Sequence, residues 1–256
     1  MKKRFIHFLS KHSGLYNFAE ECYSIFRKVK YKLYGTKSDE KYWAERHLSE
    51  RKQNDWNNET NDWITSYWNS MDHPHRQFLI EIISHYNPLS ILEIGCNCGP
   101  NLFLLAKKFP NVVITGIDIN PMAVQKGNEW LTKESILNVK LSECKAGELL
   151  QFNDKNFDVV FTDAVLIYSG PDKIKKVIEE MLRVSRKALI LMEWHDFNSK
   201  HNSLGRYKRH WVRDYKTLLK EFVSEDKIKI NKLPNNLWTD RNWQKYGAIV
   251  EVITNY

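Results

Sequence analysis

The apolar positions of this chain change rhythm near residue 85. Before that point they recur at three- and four-residue spacing, the period of helices. Leu15, Phe18, Ala19, Cys22, Phe26, Val29 and Leu33 form one stripe on a helix that stops at Gly35. Residues 38–70 read as a second helical region, rich in tryptophan (Trp43, Trp56, Trp63, Trp68) and joined by Tyr42 and Tyr67. Asp72-His73-Pro74 has the form of a helix start, with Phe78, Leu79, Ile82 and Ile83 on the helix behind it. Beyond it, short β-rich runs at 90–94, 112–117, 139–142, 157–161 and 188–192 alternate with helical runs at 101–109, 121–131 and 173–184. A helix near 213–222 and strands near 228–233 and 248–253 complete the pattern. The alternation predicts an α/β domain with a mainly parallel sheet, spanning 73–256 behind a basic arm (1–35) and a Trp-rich helical extension (36–72).

Composition adds limits. With 256 residues, 42% hydrophobic and 27% charged, and 9 Trp, 12 Tyr and 12 Phe, the chain has the makeup of a globular protein with a large core. No apolar run approaches the roughly 20 residues of a membrane-spanning helix. The apolar stretch 5–9 behind Met1-Lys2-Lys3-Arg4 is too short for a signal peptide, which argues against secretion. Cys22, Cys96, Cys98 and Cys144 make neither a disulfide framework nor a zinc pattern, so reduced thiols in a cytoplasmic protein, with no metal, are expected.

The net charge of +8 is concentrated at one end, because residues 1–35 hold eight basic residues against Glu20 and Glu21. The nearly neutral body argues against a broad nucleic-acid surface. Two readings of the arm stay open. It packs on the domain or on a second subunit of a homodimer, or it lies on an anionic membrane surface, peripheral at the inner face.

The chemistry concentrates in Ile91-Leu92-Glu93-Ile94-Gly95-Cys96-Asn97-Cys98-Gly99-Pro100-Asn101. An apolar strand ends in a carboxylate and a two-glycine turn leads into a helix, so backbone approaches a ligand at the carboxyl edge of the sheet. The spacing is not that of a pyrophosphate loop, and Glu93 favours a cationic ligand. A second strand ends at Asp118, where an acid can accept both hydroxyls of a ribose.

These residues, with Gly116-Ile117-Asp118-Ile119-Asn120-Pro121, Phe157-Asp158-Val159-Val160 and Leu182-Arg183-Val184-Ser185, resemble the class I S-adenosylmethionine-dependent methyltransferases over about residues 75–195. The resemblance implies a Rossmann-like sheet of seven strands with helices on both faces, S-adenosylmethionine as cofactor and S-adenosylhomocysteine as product. It also implies that Glu93, Gly95, Cys96, Asn97, Gly99 and Asn101 surround the amino-acid end of the cofactor. Asp118 would hold the ribose and Ile119 would lie against adenine, with Ala146, Gly147 and Thr162 completing the site. Where the family often has an acid or serine for the adenine amine, this chain reads Cys144-Lys145-Ala146-Gly147.

For the acceptor, the ends of the fourth and fifth strands offer Thr162, Asp163 and Tyr168, then Glu193, Trp194 and His195. His195 is the expected general base on its near-neutral pKa, with Asp163 or Glu193 orienting the acceptor. No clamp for a flipped base and no Pro-Cys nucleophile follow the fourth strand. The segments 165–172, 190–195 and 211–215 look like methyltransferases found with surface-sugar (pseudaminic acid type) biosynthesis, except that Tyr168 and Trp194-His195 replace a histidine and a tyrosine pair. Tyr168, Trp194, Arg206 and Arg213 are thus the expected acceptor contacts, the arginines for a phosphate or carboxylate. The leading expectation is methyl transfer to a small-molecule or glycan-precursor acceptor at oxygen. An RNA or protein methyltransferase, and a non-catalytic cofactor-binding partner subunit, are the alternatives.

Overall fold

The computed structural model describes residues 37–50, 63–198, 205–207 and 210–254. Three short helices come first: α1 (Lys37–Ala44), α2 (Arg46–Glu50) and α3 (Trp63–Trp68). Then α4 (Pro74–Ser84), β1 (Ser90–Ile94), α5 (Pro100–Lys108), β2 (Val113–Asp118), α6 (Pro121–Lys133), β3 (Val139–Glu143) and β4 (Phe157–Asp163) follow. A 3-10 turn (Leu166–Tyr168) precedes α7 (Ile174–Val184) and β5 (Ser185–Trp194). The carboxyl part adds β6 (Gly205–Tyr207), β7 (His210–Val212), α8 (Tyr215–Leu219), β8 (Ile228–Lys232), α9 (Arg241–Tyr246) and β9 (Gly247–Ile253).

Seven strands form one sheet in the order β3-β2-β1-β4-β5-β9-β8, and β6 pairs with β7 separately. β1 to β5 pair in parallel, while β9 runs antiparallel to both β5 and β8. The expected Rossmann-like sheet is therefore the one observed. β4 is buried at every position, as a central strand covered on both faces should be. Leu79, Ile83, Leu102 and Leu105 of α4 and α5 cover one face, and Val177, Ile178 and Met181 of α7 cover the other. Pro74, Pro100 and Pro121 each begin a helix, where the missing N–H costs no intrahelical bond.

The sequence pattern locates every strand of the seven-stranded sheet, with ends that differ by up to three residues. It misses β6, β7 and α9, which span only 3, 3 and 6 residues, too few for a period to show. The basic arm, Cys22 and Trp56 lie outside the described residues. Among the described residues no helix is long and apolar enough to cross a membrane, and no group of three acidic, His or Cys side chains is placed to hold a metal ion.

Gly127 sits inside α6, where glycine costs backbone entropy. Its place there is explained by contact, since a Cβ at Gly127 would lie 2.5 Å from the Cys98 carbonyl oxygen and 2.4 Å from Leu141 Cδ1. The helix thus rests directly on the β1–α5 turn. Gly127→Ala should lower stability by about 1–3 kcal/mol through overpacking, despite alanine's better helix propensity. Denaturant unfolding that shows an equal or more stable variant would refute this account of the contact.

Candidate cofactor and active site

A cavity of about 430 Å³ opens at the carboxyl ends of the strands. It lies where strand order reverses between β1 and β4, the usual ligand position in open α/β sheets. Its floor is Gly95 and Asn97 after β1, Asp118 and Ile119 at β2, residues 144–148 after β3, and Asp163, Ala164 and Val165 at β4. Its roof comes from Asp39, Glu40, Trp43 and Arg46 of α1 and α2, and Trp63 and Tyr67 of α3.

The β1–α5 turn is shaped by close approach. Gly95 has φ +75°, and a Cβ there would lie 2.4 Å from Val165 Cγ2. The Gly95 and Cys96 N–H groups donate to the Ile117 carbonyl at 2.7 and 3.0 Å. The Asn97 N–H donates to Asp118 Oδ2 at 2.7 Å, and the Asn120 N–H donates to Asp118 Oδ1 at 2.8 Å. Burial raises the Asp118 pKa, and these backbone donors oppose the rise.

Beneath the cavity lie two buried carboxylates, Glu93 and Asp163. The Asn101 side-chain amide bridges them, donating to Glu93 Oε1 at 2.7 Å and Asp163 Oδ2 at 3.1 Å. Asn101 Oδ1 in turn accepts from the Arg76 guanidinium at 2.7 Å. His75 Nε2 meets Asp163 Oδ2 at 3.0 Å, and the His75 ring stacks on Trp238. Burial would raise the Asp163 pKa, but the charge and hydrogen bond of His75, together with Arg76, hold it well below the carboxylate range. At Glu93 burial outweighs the Asn101 hydrogen bond and the Arg76 charge, and pushes the pKa up to about 8. Asp163 Oδ1 and Glu93 Oε2 are buried without a hydrogen-bond partner. That leaves acceptor capacity for a cation at this end of the cavity.

The roof is tied down on both sides. Asn120 Nδ2 donates to the Trp43 carbonyl at 2.8 Å, and Glu40 pairs with Lys173. The Trp43 ring lies 4.5 Å from Tyr168 and 5.9 Å from Trp63, centroid to centroid. The Arg46 guanidinium sits over both indoles, 4.8 Å from Trp43 and 4.3 Å from Trp63. One helical turn along α3, the Tyr67 ring lies 4.8 Å beneath the Arg76 guanidinium.

Residues 87–250, more than half of the chain, match the family model described as "Methyltransferase domain". The chain belongs to this methyltransferase family. A curated relative, an uncharacterized protein of Haemophilus influenzae, is 27% identical over 149 residues, covering 58% of this chain and 54% of that one. The chain spans about half the length of the curated relatives it matches. Two solved structures are similar in fold. Magnesium protoporphyrin IX methyltransferase of Synechocystis, solved with bound S-adenosylmethionine, superposes with TM-score 0.56 at 14% identity over 84% of this chain and 96% of that one. Geranyl diphosphate C-methyltransferase of Streptomyces coelicolor, solved with S-adenosylhomocysteine, gives TM-score 0.55 at 10% identity over 70% and 76%.

Methyltransferases of this fold use S-adenosylmethionine, and the cavity of this methyltransferase domain fits it. Asp118 lines the cavity, and Ile119, Ala146 and Gly147 give it an apolar wall. Gly95 and Asn97 border it together with Asp163, whose Oδ1 is buried without a hydrogen-bond partner.

Several residues singled out from the sequence lie elsewhere. Cys96 points into the core, where its Sγ would lie 2.8 Å from a Cβ on Gly116. Gly99 caps α5 against Leu141, and Asn101 acts beneath the cavity as the bridge between the acids. The Thr162 hydroxyl donates to Glu193 of β5 at 2.8 Å. Glu193 also accepts the N–H groups of Val165, Leu166 and Ile167 at 2.9–3.0 Å, so it holds the 3-10 turn instead of an acceptor. Arg213 is buried and donates to the Leu166 and Ser169 carbonyls, which commits it to the same turn rather than to a phosphate. His195 does not line the cavity; its Nδ1 accepts the Tyr215 N–H at 3.2 Å, and burial lowers its pKa. Trp194 lies behind the cavity wall, its ring 4.7 Å from His210, which in turn touches Tyr168. Tyr168 does line the cavity, and Arg206 falls on β6.

The sequence reading missed the roof residues, and it missed His75 and Arg76. The latter two had a signal: they fall on the stripe of α4 that buries Leu79, Ile80 and Ile83, and a polar residue on such a stripe needs a partner.

The raised Glu93 pKa predicts a pH dependence. The folded protein holds this proton up to about pH 8, whereas an unfolded glutamate releases it near 4.5. Over that window the native state binds more protons, so stability falls as pH rises. Glu93→Gln removes the ionisation, and its melting temperature relative to wild type should therefore climb between about pH 5 and about pH 8. A difference that stays flat, measured by thermal denaturation, would contradict the raised pKa.

Proposed function

We propose that this protein is a cytoplasmic S-adenosylmethionine-dependent methyltransferase acting on a small-molecule or glycan-precursor acceptor, with a hydroxyl oxygen as the favoured position. The observation that carries the reading is the joint placement of Asp118, the Gly95 turn and the partnerless Asp163 Oδ1 around one cavity. Bound S-adenosylmethionine supplies an activated methyl group and leaves as a neutral thioether. The chain's own work is to bind, orient and exclude water. Asp118 orients the ribose, Asp163 fixes the cationic end, and Trp43, Trp63 and Tyr168 cover the reacting region with aromatic surface.

A cavity volume of about 430 Å³ supports a small acceptor over a polymer. Proton removal is assigned to no histidine, because none lines the cavity among the described residues. An ionised Asp163 is a weak base but a firm hydrogen-bond acceptor for a hydroxyl. The surface-sugar class rests on the likeness of segments 165–172, 190–195 and 211–215, and it guides the choice of acceptors to test.

Calorimetry should show micromolar binding of S-adenosylhomocysteine, an order-of-magnitude expectation. Asp118→Ala should weaken that binding by about tenfold or more, since a charge-assisted pair of hydrogen bonds is lost. No binding to wild type, or equal binding by the variant, would sink the reading. A mass-spectrometric screen with labelled cofactor then separates sugar and nucleotide-sugar acceptors from RNA and protein.

For residues 1–35 the charge and the apolar stripe support docking on an anionic membrane surface or a second subunit. Deleting the arm should leave S-adenosylhomocysteine affinity unchanged and reduce sedimentation with anionic liposomes. Full-length protein that ignores such liposomes at low salt would exclude the membrane version and leave subunit packing.

A further inference from the structure

We propose that His75 and His73 form a proton port behind the cavity, through which one proton leaves to solvent when a cationic ligand enters and returns when the ligand's charge is lost. The inference rests on the methyltransferase reading above, in which the cofactor is a sulfonium cation and its product a neutral thioether. Asp163 is the shared partner. Its Oδ2 meets His75 Nε2 at 3.0 Å, while its Oδ1 has no hydrogen-bond partner and the residue lines the cavity. A cation on the cavity side of this carboxylate weakens its hold on an imidazolium behind it.

The His75 ring is buried, yet it has a path to water. His75 Nδ1 lies 2.5 Å from His73 Nδ1, so one proton lies between the two nitrogens. His73 caps α4 and is half-buried, which sets one end of the pair at the surface. Trp238 holds both rings, its centroid 4.3 Å from that of His75 and 4.6 Å from that of His73.

The protons balance along this path. In the neutral pair, His75 Nε2–H donates to Asp163 and His73 Nδ1–H donates to His75 Nδ1. A proton from solvent bonds to His73 Nε2, and the His73 Nδ1–H bond breaks as a new one forms at His75 Nδ1. His75 is then an imidazolium beside ionised Asp163, and His73 is neutral again. The reverse sequence returns one proton to solvent. When a hydroxyl is methylated, the sulfonium charge disappears and the acceptor's proton is released. The proton regained by His75 keeps the total charge of the site constant.

The groups facing the pair favour a single proton on it. Arg76 of α4 reaches to 3.7 Å from Asp163 of β4. Burial, then the charges of His75 and Arg76, lower the His73 pKa against the opposing charge of Asp163. Glu93 of β1 stands across Asn101 from Asp163 and keeps its proton up to about pH 8, and burial keeps Tyr67 of α3 protonated. Of these groups, the histidines are the ones left to titrate just below neutrality.

The test measures S-adenosylmethionine and S-adenosylhomocysteine by calorimetry on the full chain, between about pH 5.5 and about pH 7.5. Wild-type preference for S-adenosylmethionine should rise with pH by about threefold or more, since one fully linked proton gives about tenfold per pH unit. Buffers of different ionisation enthalpy should show S-adenosylmethionine releasing more protons on binding than S-adenosylhomocysteine. His75→Asn keeps an amide donor for Asp163 without a titrating ring, and should flatten the preference. His73→Phe keeps a ring against Trp238 but leaves an imidazolium at His75 no acceptor, and should flatten it too. The wild-type comparison needs no variant to fold, and equal pH dependence of the two ligands overturns the proposal. Variants that weaken both ligands alike at every pH, with the slope kept, would make the histidines structural and overturn it. A slope that survives His75→Asn and is lost in Glu93→Gln would give the proton to Glu93 and overturn it as well. Failure of wild type to bind either ligand would instead overturn the methyltransferase reading itself.

Discussion

Two carboxylates buried side by side at the ends of neighbouring strands constrain much of the rest. Glu93 and Asp163 cannot both be left to the apolar interior, and the surrounding elements are arranged to answer them. α5 presents Asn101 in its first turn, so that one amide reaches both acids. α4 turns His75 and Arg76 inward on a face that is otherwise aliphatic. Trp238, from the segment before α9, then stacks over His75 and brings the carboxyl part of the chain to the site. The two acids end up differently charged, Asp163 firmly ionised and Glu93 holding its proton near neutrality. That division limits the repulsion while leaving one fixed negative charge at the cavity.

The same device, a carboxylate accepting backbone N–H groups, recurs at the two places where the chain must turn sharply beside the cavity. Asp118 receives Asn97 and Asn120, and so joins the first turn to the second. Glu193 receives three successive N–H groups from the turn after β4. In both cases the acid satisfies donors that a tight turn would otherwise leave without partners in a region shielded from water.

The strands and the cavity floor were legible in the sequence because their signals are local. Short β-rich runs mark β1, β2, β4 and β5, and the spacing from Glu93 to Gly99 places acid and glycine on one strand–turn–helix unit. The roof was not legible, because Trp43 meets Tyr168 and Trp63 meets Arg46 across separations that no window spans. Residues 38–70 announced aromatic surface but not what it would cover. His195 shows a different limit. Its position after β5 was read correctly, yet which way a side chain leaves the end of a strand changes with one residue of register. Glu193 aims at the turn, whereas the His195 ring is engaged by α8 through Tyr215.

The turn that brings Tyr168 to the cavity is held from behind. Glu193 grips its N–H groups and Arg213 grips the carbonyls of Leu166 and Ser169, and neither of the two lines the cavity. Support and contact are thus assigned to different residues. The side chain at position 168 can be exchanged without dismantling the scaffold that presents it. Such a separation lets the shape of the cavity change at one residue while the turn that carries it stays in place.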